Sequence, residues 1–297
     1  MRDPTRSSAR NALARRAAAA LLSLTLAACL KVASPSASAA TGPLKESPDG
    51  RALQLTFADE FNSFHRWDGA KGVWRTRFRD GADPNPFALR TLFGNKERQL
   101  YVDPDLPLRG RPLNPFVVHD GRLDIVAEPA PAAVADQLHG FRYISGLITT
   151  QPSFSQTYGY FEMRAKLPLG KGIWPAFWLL PADQSWPPEI DVMECIGVPE
   201  VYATAHSRAM AQVPTTKVQI DPDAYHTFAV SWDPKELIWF LDGRETKRQP
   251  TPPDMNKPMF MLANVAVGGA WPGDPDATTP FPARMSIDYI RAYRFAR

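Results

Sequence analysis

Three acids stand within six residues in Glu189-Ile190-Asp191-Val192-Met193-Glu194. In a strand, alternate side chains share a face, so Glu189 and Asp191 point together while Ile190 and Val192 point toward a core. Strict alternation then puts Met193 on the carboxylate face and Glu194 on the core face. One extra residue, taken up as a β-bulge, returns Glu194 to the side of Glu189 and Asp191. Like charges gathered this way resist joint ionisation. The cluster suits cleavage of an acetal with retention, in which an ionised carboxylate attacks and a protonated one donates to the leaving oxygen, about 5–5.5 Å apart. Two strand residues cover about 6.6 Å, which is the same scale. An acidic edge strand and a calcium site are the competing readings of this pattern, although three ligands on one rigid strand wrap an ion poorly.

The elements that must position these acids are short strands. Runs rich in aromatic and β-branched residues occur at 53–57, 123–127, 158–166, 227–232, 237–241, 259–267 and 285–293. Pro, Gly and Asp punctuate them, and 30 prolines with 18 glycines leave little room for long helices. In 159–166, Phe161, Met163 and Ala165 share one face, and Glu162, Arg164 and Lys166 the other. Asp242-Gly243 reads as a hairpin turn after the run ending at Leu241. Many strands without helical patterns predict an all-β fold, an antiparallel β-jelly-roll sandwich, with no internal repeat. The proline-rich stretch 103–115 reads either as a rim or as plain connection.

The hexad resembles the E-[IL]-D-x-x-E signature of glycoside hydrolase family 16, in its bulged, laminarinase-like branch. The likeness extends along the chain in order: Phe57-Ala58-Asp59-Glu60-Phe61-Asn62, Asn95-Lys96-Glu97-Arg98-Gln99-Leu100-Tyr101, Ser145-Gly146-Leu147-Ile148-Thr149, Gly172-Ile173-Trp174-Pro175-Ala176-Phe177-Trp178, and Ile287-Asp288-Tyr289-Ile290-Arg291. The resemblance implies a concave carbohydrate-binding cleft, Glu189 as nucleophile, Glu194 as general acid/base, and Asp191 between them setting their proton affinities apart. It implies no cofactor for catalysis. A structural calcium, held in many members away from the cleft, would fall at Glu60 and Asp288.

A cleft for sugar rings needs aromatic platforms and polar contacts. Trp174 and Trp178 share a strand face just ahead of the acids. The resemblance makes Trp174 a platform, while Trp178 reads equally as a core residue. Trp271, in Gly268-Gly269-Ala270-Trp271-Pro272-Gly273, suits a cleft rim. His206 corresponds to a histidine that lies near the acid/base residue in the family. Asn95, Glu97 and Asn264 are candidate contacts to sugar hydroxyls. Lys96 departs from the second asparagine common in laminarinases, which puts a standard β-1,3-glucan subsite in question. Cys195 reads as a small buried hydrophobe.

Five arginines (Arg2, Arg6, Arg10, Arg15 and Arg16) precede an apolar run that ends in Leu26-Ala27-Ala28-Cys29. Residues 1–28 therefore read as an export signal of lipoprotein type, with Cys29 the lipidated residue; Ala37-Ser38-Ala39 offers a competing cleavage site. Residues 29–50 read as a flexible tether and 51–297 as the catalytic domain. A net charge of +3, concentrated in the leader, leaves no basic stripe for nucleic acid. The expectation is an exported monomer, in periplasm, envelope or medium, that meets a membrane only through Cys29. Its substrate would be a β-1,3 or mixed-linkage glucan. The segments 154–160 and 181–189 also resemble bacterial exopolysaccharide glycanases, making a depolymerase of a succinoglycan-like polymer the alternative. A transglycosylase would use the same residues, and a non-catalytic carbohydrate-binding lipoprotein would not need all three acids.

Overall fold

The aromatic and β-branched runs all form strands. The computed structural model describes residues 42–78, 87–110, 112–210 and 215–296. They belong to one unit of the chain, residues 37–297. The leader and Cys29 lie outside the described residues. Sixteen strands follow in order: β1 (Leu53–Asp59), β2 (Gln99–Tyr101), β3 (Phe116–His119), β4 (Arg122–Pro129), β5 (Tyr143–Ser145), β6 (Leu147–Thr149), β7 (Gly159–Lys166), β8 (Ile173–Pro181), β9 (Glu189–Cys195), β10 (Glu200–His206), β11 (Thr216–Gln219), β12 (His226–Trp232), β13 (Glu236–Leu241), β14 (Arg244–Pro250), β15 (Met259–Val267) and β16 (Ala283–Phe295). The helical segments among the described residues are two short 3-10 turns, Phe93–Asn95 and Ala132–Gln137.

The strands build two sheets. One runs β14-β13-β12-β7-β16-β4-β5-β2, with β1 added on β16 and β3 on β4; the other runs β11-β10-β9-β8-β15-β6. Pairing is antiparallel except between β2 and β5. The long-range neighbours, such as β7 beside β16 and β8 beside β15, give the jelly-roll sandwich that the strand pattern predicts.

Alternation decides what each face meets. On β7, Phe161, Met163 and Ala165 are fully buried between the sheets against Phe177 and Leu179 of β8 and Ile190 of β9. Burying each large side chain contributes about 1.5–3 kcal/mol. The Asp242-Gly243 turn has both residues at positive φ, 51° and 75°, as a two-residue hairpin closing Leu241 onto Arg244 demands.

One expectation is corrected. The segment read as tether to Gly50 is already bound to the domain in its last part. Leu53 N donates to Lys45 O, Glu46 bridges to Ala52, and Leu44 N donates to the Tyr293 hydroxyl. Leu44 and Leu53 help to cover an apolar cluster of Tyr160, Ala229, Ile238, Phe240 and Tyr293 on the back of the larger sheet. At the positions named for a calcium, both carboxylates have arginine neighbours. Arg291 grips Glu60 with two hydrogen bonds of 2.7 and 2.8 Å, and Arg164 donates to Asp288 at 2.5 Å. Each carboxylate thus has a guanidinium partner.

Candidate active site

The outer face of the smaller sheet floors a cleft of about 820 Å³. Trp174, Ala176, Trp178 and Leu180 line it from β8, Asn264 and Ala266 from β15, and Thr204 and His206 from β10. Even-numbered residues of β8 face the cleft, and Ile173, Phe177 and Leu179 face the core.

Glu189, Asp191 and Glu194 all line this cleft because β9 carries the bulge. Phe177 pairs with Met193 and Trp178 with Asp191, so Val192 has no opposite number on β8. Val192 and Met193 consecutively enter the core, both at 5% exposure or less. The shift of one residue turns Glu194 outward, opposite Ala176 and Tyr202. Cys195 then points inward and is fully buried.

Each acid has its own surroundings. Trp186 Nε1 donates to Glu189 Oε2 at 2.5 Å, and Trp174 Nε1 donates to Glu194 Oε1 at 3.0 Å. Asp191, 2% exposed, shares a hydrogen bond with Glu189. Burial raises the proton affinity of all three acids, and their mutual repulsion raises it further; Glu194 is pushed up to about 7. The indole N–H on Glu189 favours negative charge there and opposes that rise.

Beneath the floor, Trp239 Nε1 donates to the Asp191 carbonyl at 2.8 Å. Lys247 sits 4.3 Å over that indole and donates to Ala203 O at 3.0 Å. Its positive charge opposes the rise at Asp191, while burial lowers its own pKa to about 8.

His206 lines the same cleft as Glu194. It pairs in register with Glu189, and its Nε2 is 3.1 Å from Asp191 Oδ2, outside hydrogen-bond geometry. Tyr202 is the residue opposite Glu194. Atoms of Glu189, Asp191 and His206 lie within 4.8 Å of one another, close enough to touch one cation. A cation there would neutralise Glu189, and hydrolysis in this class uses no cofactor.

Trp178 lies between the apolar cluster and the cleft. It is 8% exposed, part of an apolar cluster under the cleft, and one of the cleft's lining residues. Its Nε1 donates to Asn264 Oδ1, whose Nδ2 donates to the Tyr101 hydroxyl. Glu97 accepts from Asn95, Gln99 and the Leu92 amide, bracing the cleft wall. Asn264 and Glu97 thus spend much of their hydrogen-bonding capacity inside the protein. Trp271, 42% exposed, packs edge-on to Trp174 and Tyr202 and forms the rim.

Sequence reasoning missed Trp186, Tyr101, Phe78 and Phe93, which all line the cleft. Trp186 carried a signal: an indole among polar and proline residues, three before Glu189. Phe78 and Phe93 carried none. The stretch 103–115 contributes no described residue to the cleft lining and is connection.

A jelly-roll sandwich with paired glutamates on a bulged strand, below indole platforms, defines a glycoside hydrolase. The chain belongs to glycosyl hydrolases family 16, whose family model matches residues 124–291. It is 42% identical to endo-1,3-1,4-beta-glycanase ExsH of Rhizobium meliloti (strain 1021), across 83% of this chain and 53% of that protein. It is 41% identical to endo-1,3-1,4-beta-glycanase EglC of the same strain, across 82% of this chain and 52% of that protein. The chain spans about half the length of these two relatives. Among solved structures, the laminarinase catalytic domain from Thermotoga maritima MSB8 superposes with a TM-score of 0.68 at 32% identity, covering 82% of this chain and 99% of that one.

Proposed function

We propose that this chain is a retaining endo-β-glycosidase that hydrolyses a β-1,3 or mixed-linkage glucan by double displacement. Glu189 attacks the anomeric carbon while Glu194 protonates the leaving oxygen, giving a glycosyl-enzyme ester. Glu194, now ionised, deprotonates a water that cleaves the ester and regenerates Glu189. Asp191 shares a hydrogen bond with Glu189 and holds that carboxylate in position. Trp174 and Trp271 stack on sugar faces. The observation that carries the reading is the geometry of β9: one bulge sets two outer glutamates on the same surface, each capped by an indole N–H.

The test is a pair of variants with azide. Glu189→Ala and Glu194→Ala should each lose about 10²–10⁴-fold in kcat. Azide should rescue the first as an α-glycosyl azide and the second as a β-glycosyl azide. Either variant cleaving at a near wild-type rate overturns the assignment. Anomeric NMR of fresh digests should show the β-anomer first. Longer saccharides accumulating instead would mark transglycosylation.

A depolymerase of a bacterial exopolysaccharide is the second reading, supported by the resemblance of segments 154–160 and 181–189. Product analysis on laminarin, lichenan and an acidic exopolysaccharide separates the two. Export with lipidation at Cys29 is a further proposal, supported by the arginine-rich leader and tested by labelled palmitate in wild type and Cys29→Ser.

A further inference from the structure

A second, smaller cavity of about 370 Å³ opens behind one wall of the cleft and shares Phe93 and Glu97 with it. The charge of the two spaces differs. The main cleft is lined by four carboxylates and by no lysine or arginine among the described residues. The smaller one is lined by Lys96, Arg98, His139 and Arg142. Asp274 engages Arg98 through two hydrogen bonds, of 2.8 and 3.1 Å, and is also within electrostatic reach of Arg142. Lys96 and Arg142 have no carboxylate within ion-pair distance among the described residues. Glu97 is the other acid present, and both of its oxygens are taken up by Asn95, Gln99 and the Leu92 amide.

Beside these cations lies an exposed aromatic ledge. Phe93 is 56% exposed and sits 6.0 Å from Phe141, ring to ring. An apolar surface next to unpaired cations suits a sugar ring that carries an acid group. The wall is rigidly joined to the catalytic platform. Ala270 N donates to Asn95 O at 2.8 Å, and Arg98 N donates to Val267 O at 2.7 Å. Gly269 allows this approach, since a Cβ there would meet the Trp174 ring at 3.1 Å. A chain lying over Trp174 and Trp271 therefore has the basic cavity at a fixed offset from the scissile bond.

We propose that the cavity lined by Lys96, Arg98, His139 and Arg142 is a subsite for a carboxylate-bearing substituent on the polysaccharide. The proposal rests on the endo-glycosidase reading and narrows its substrate to polymers with acidic side groups.

Affinity electrophoresis of Glu194→Gln in gels holding laminarin or carboxymethyl-laminarin tests it, because the two polymers share a backbone and differ in carboxylates. Apparent affinity for the carboxymethyl polymer should be about tenfold higher. Adding Lys96→Gln with Arg142→Gln should bring the ratio of the two affinities toward one. Arg142→Glu should invert the preference. Lys235→Gln with Arg244→Gln, the same charge change at exposed positions outside the cavity, should leave the ratio intact. Equal loss in the cavity and control variants, or no preference at the start, overturns the subsite. Absence of new reducing ends from wild type on every polymer would instead overturn the glycosidase reading, whatever the gels show.

Discussion

Trp174 Nε1 donates a 3.0 Å hydrogen bond to Glu194 Oε1, and that bond spans from β8 to the bulged β9. It stabilises the ionised carboxylate and so holds down a pKa that burial and Glu189 raise to about 7. Activity in wild type should decline above that pH, as the acid that protonates the leaving group is lost. In Trp174→Phe the alkaline limb of kcat/KM should move to higher pH, with kcat/KM falling about tenfold or more. A pH–rate series on laminarin reads both effects.

Trp186 does for Glu189 what Trp174 does for Glu194, at 2.5 Å. Trp186→Phe should therefore raise the proton affinity of the nucleophile. The acid limb should move to higher pH while the alkaline limb stays. Opposite limbs responding to the two tryptophans would assign the nucleophile and the acid without touching either glutamate; both variants moving the same limb would contradict the roles.

Asp191 is the like-charge neighbour that, after burial, most raises the proton affinity of Glu189. Asp191→Asn keeps the shape and removes the charge. Glu189 should then ionise more readily, moving the acid limb to lower pH. The same change makes it a weaker nucleophile, so kcat should drop about 10²-fold. Steady-state kinetics from pH 4 to 8, about the range in which these carboxyls titrate, measure both.

Lys247 is a buried cation whose charge reaches Asp191, and Glu189, Glu194 and His206 are other ionisable groups around that acid. Removing the cation in Lys247→Met should let Asp191 and Glu189 hold their proton to higher pH and raise the acid limb. Lys247→Arg should restore the wild-type limb. A limb that stays put in both variants would limit Lys247 to packing.

Glu162 lies outside the cleft, on the back of the larger sheet, 1% exposed, with the Tyr293 hydroxyl donating to it at 2.8 Å. Burial raises its pKa from 4.5 to about 7. A carboxyl whose folded pKa is raised contributes stability below its unfolded pKa and loses it as pH rises through the folded value. Glu162→Gln lacks that loss. Relative to wild type it should gain about 3 kcal/mol between pH 4.5 and 7.5, at 1.36 kcal/mol per pKa unit. Denaturant melts at the two pH values check it.

Much of this protein follows from short-range patterns along the chain. Local rules suffice for the strands: alternation at Phe161, Met163 and Ala165, and the turn at Asp242-Gly243, depend only on near neighbours. The hexad Glu189 to Glu194 announced its chemistry, but also that strict alternation would bury its last acid. Where the extra residue goes depends on strand pairing, because a bulge exists relative to a partner strand, here β8, which leaves Val192 unmatched. The same holds for Glu60 and Asp288, whose arginines are distant in sequence, at 291 and 164. It holds for Lys247, which meets Asp191 only because β14 folds beneath β10. Burial and charge proximity set proton affinities, and both are sums over residues that the chain brings together from far apart.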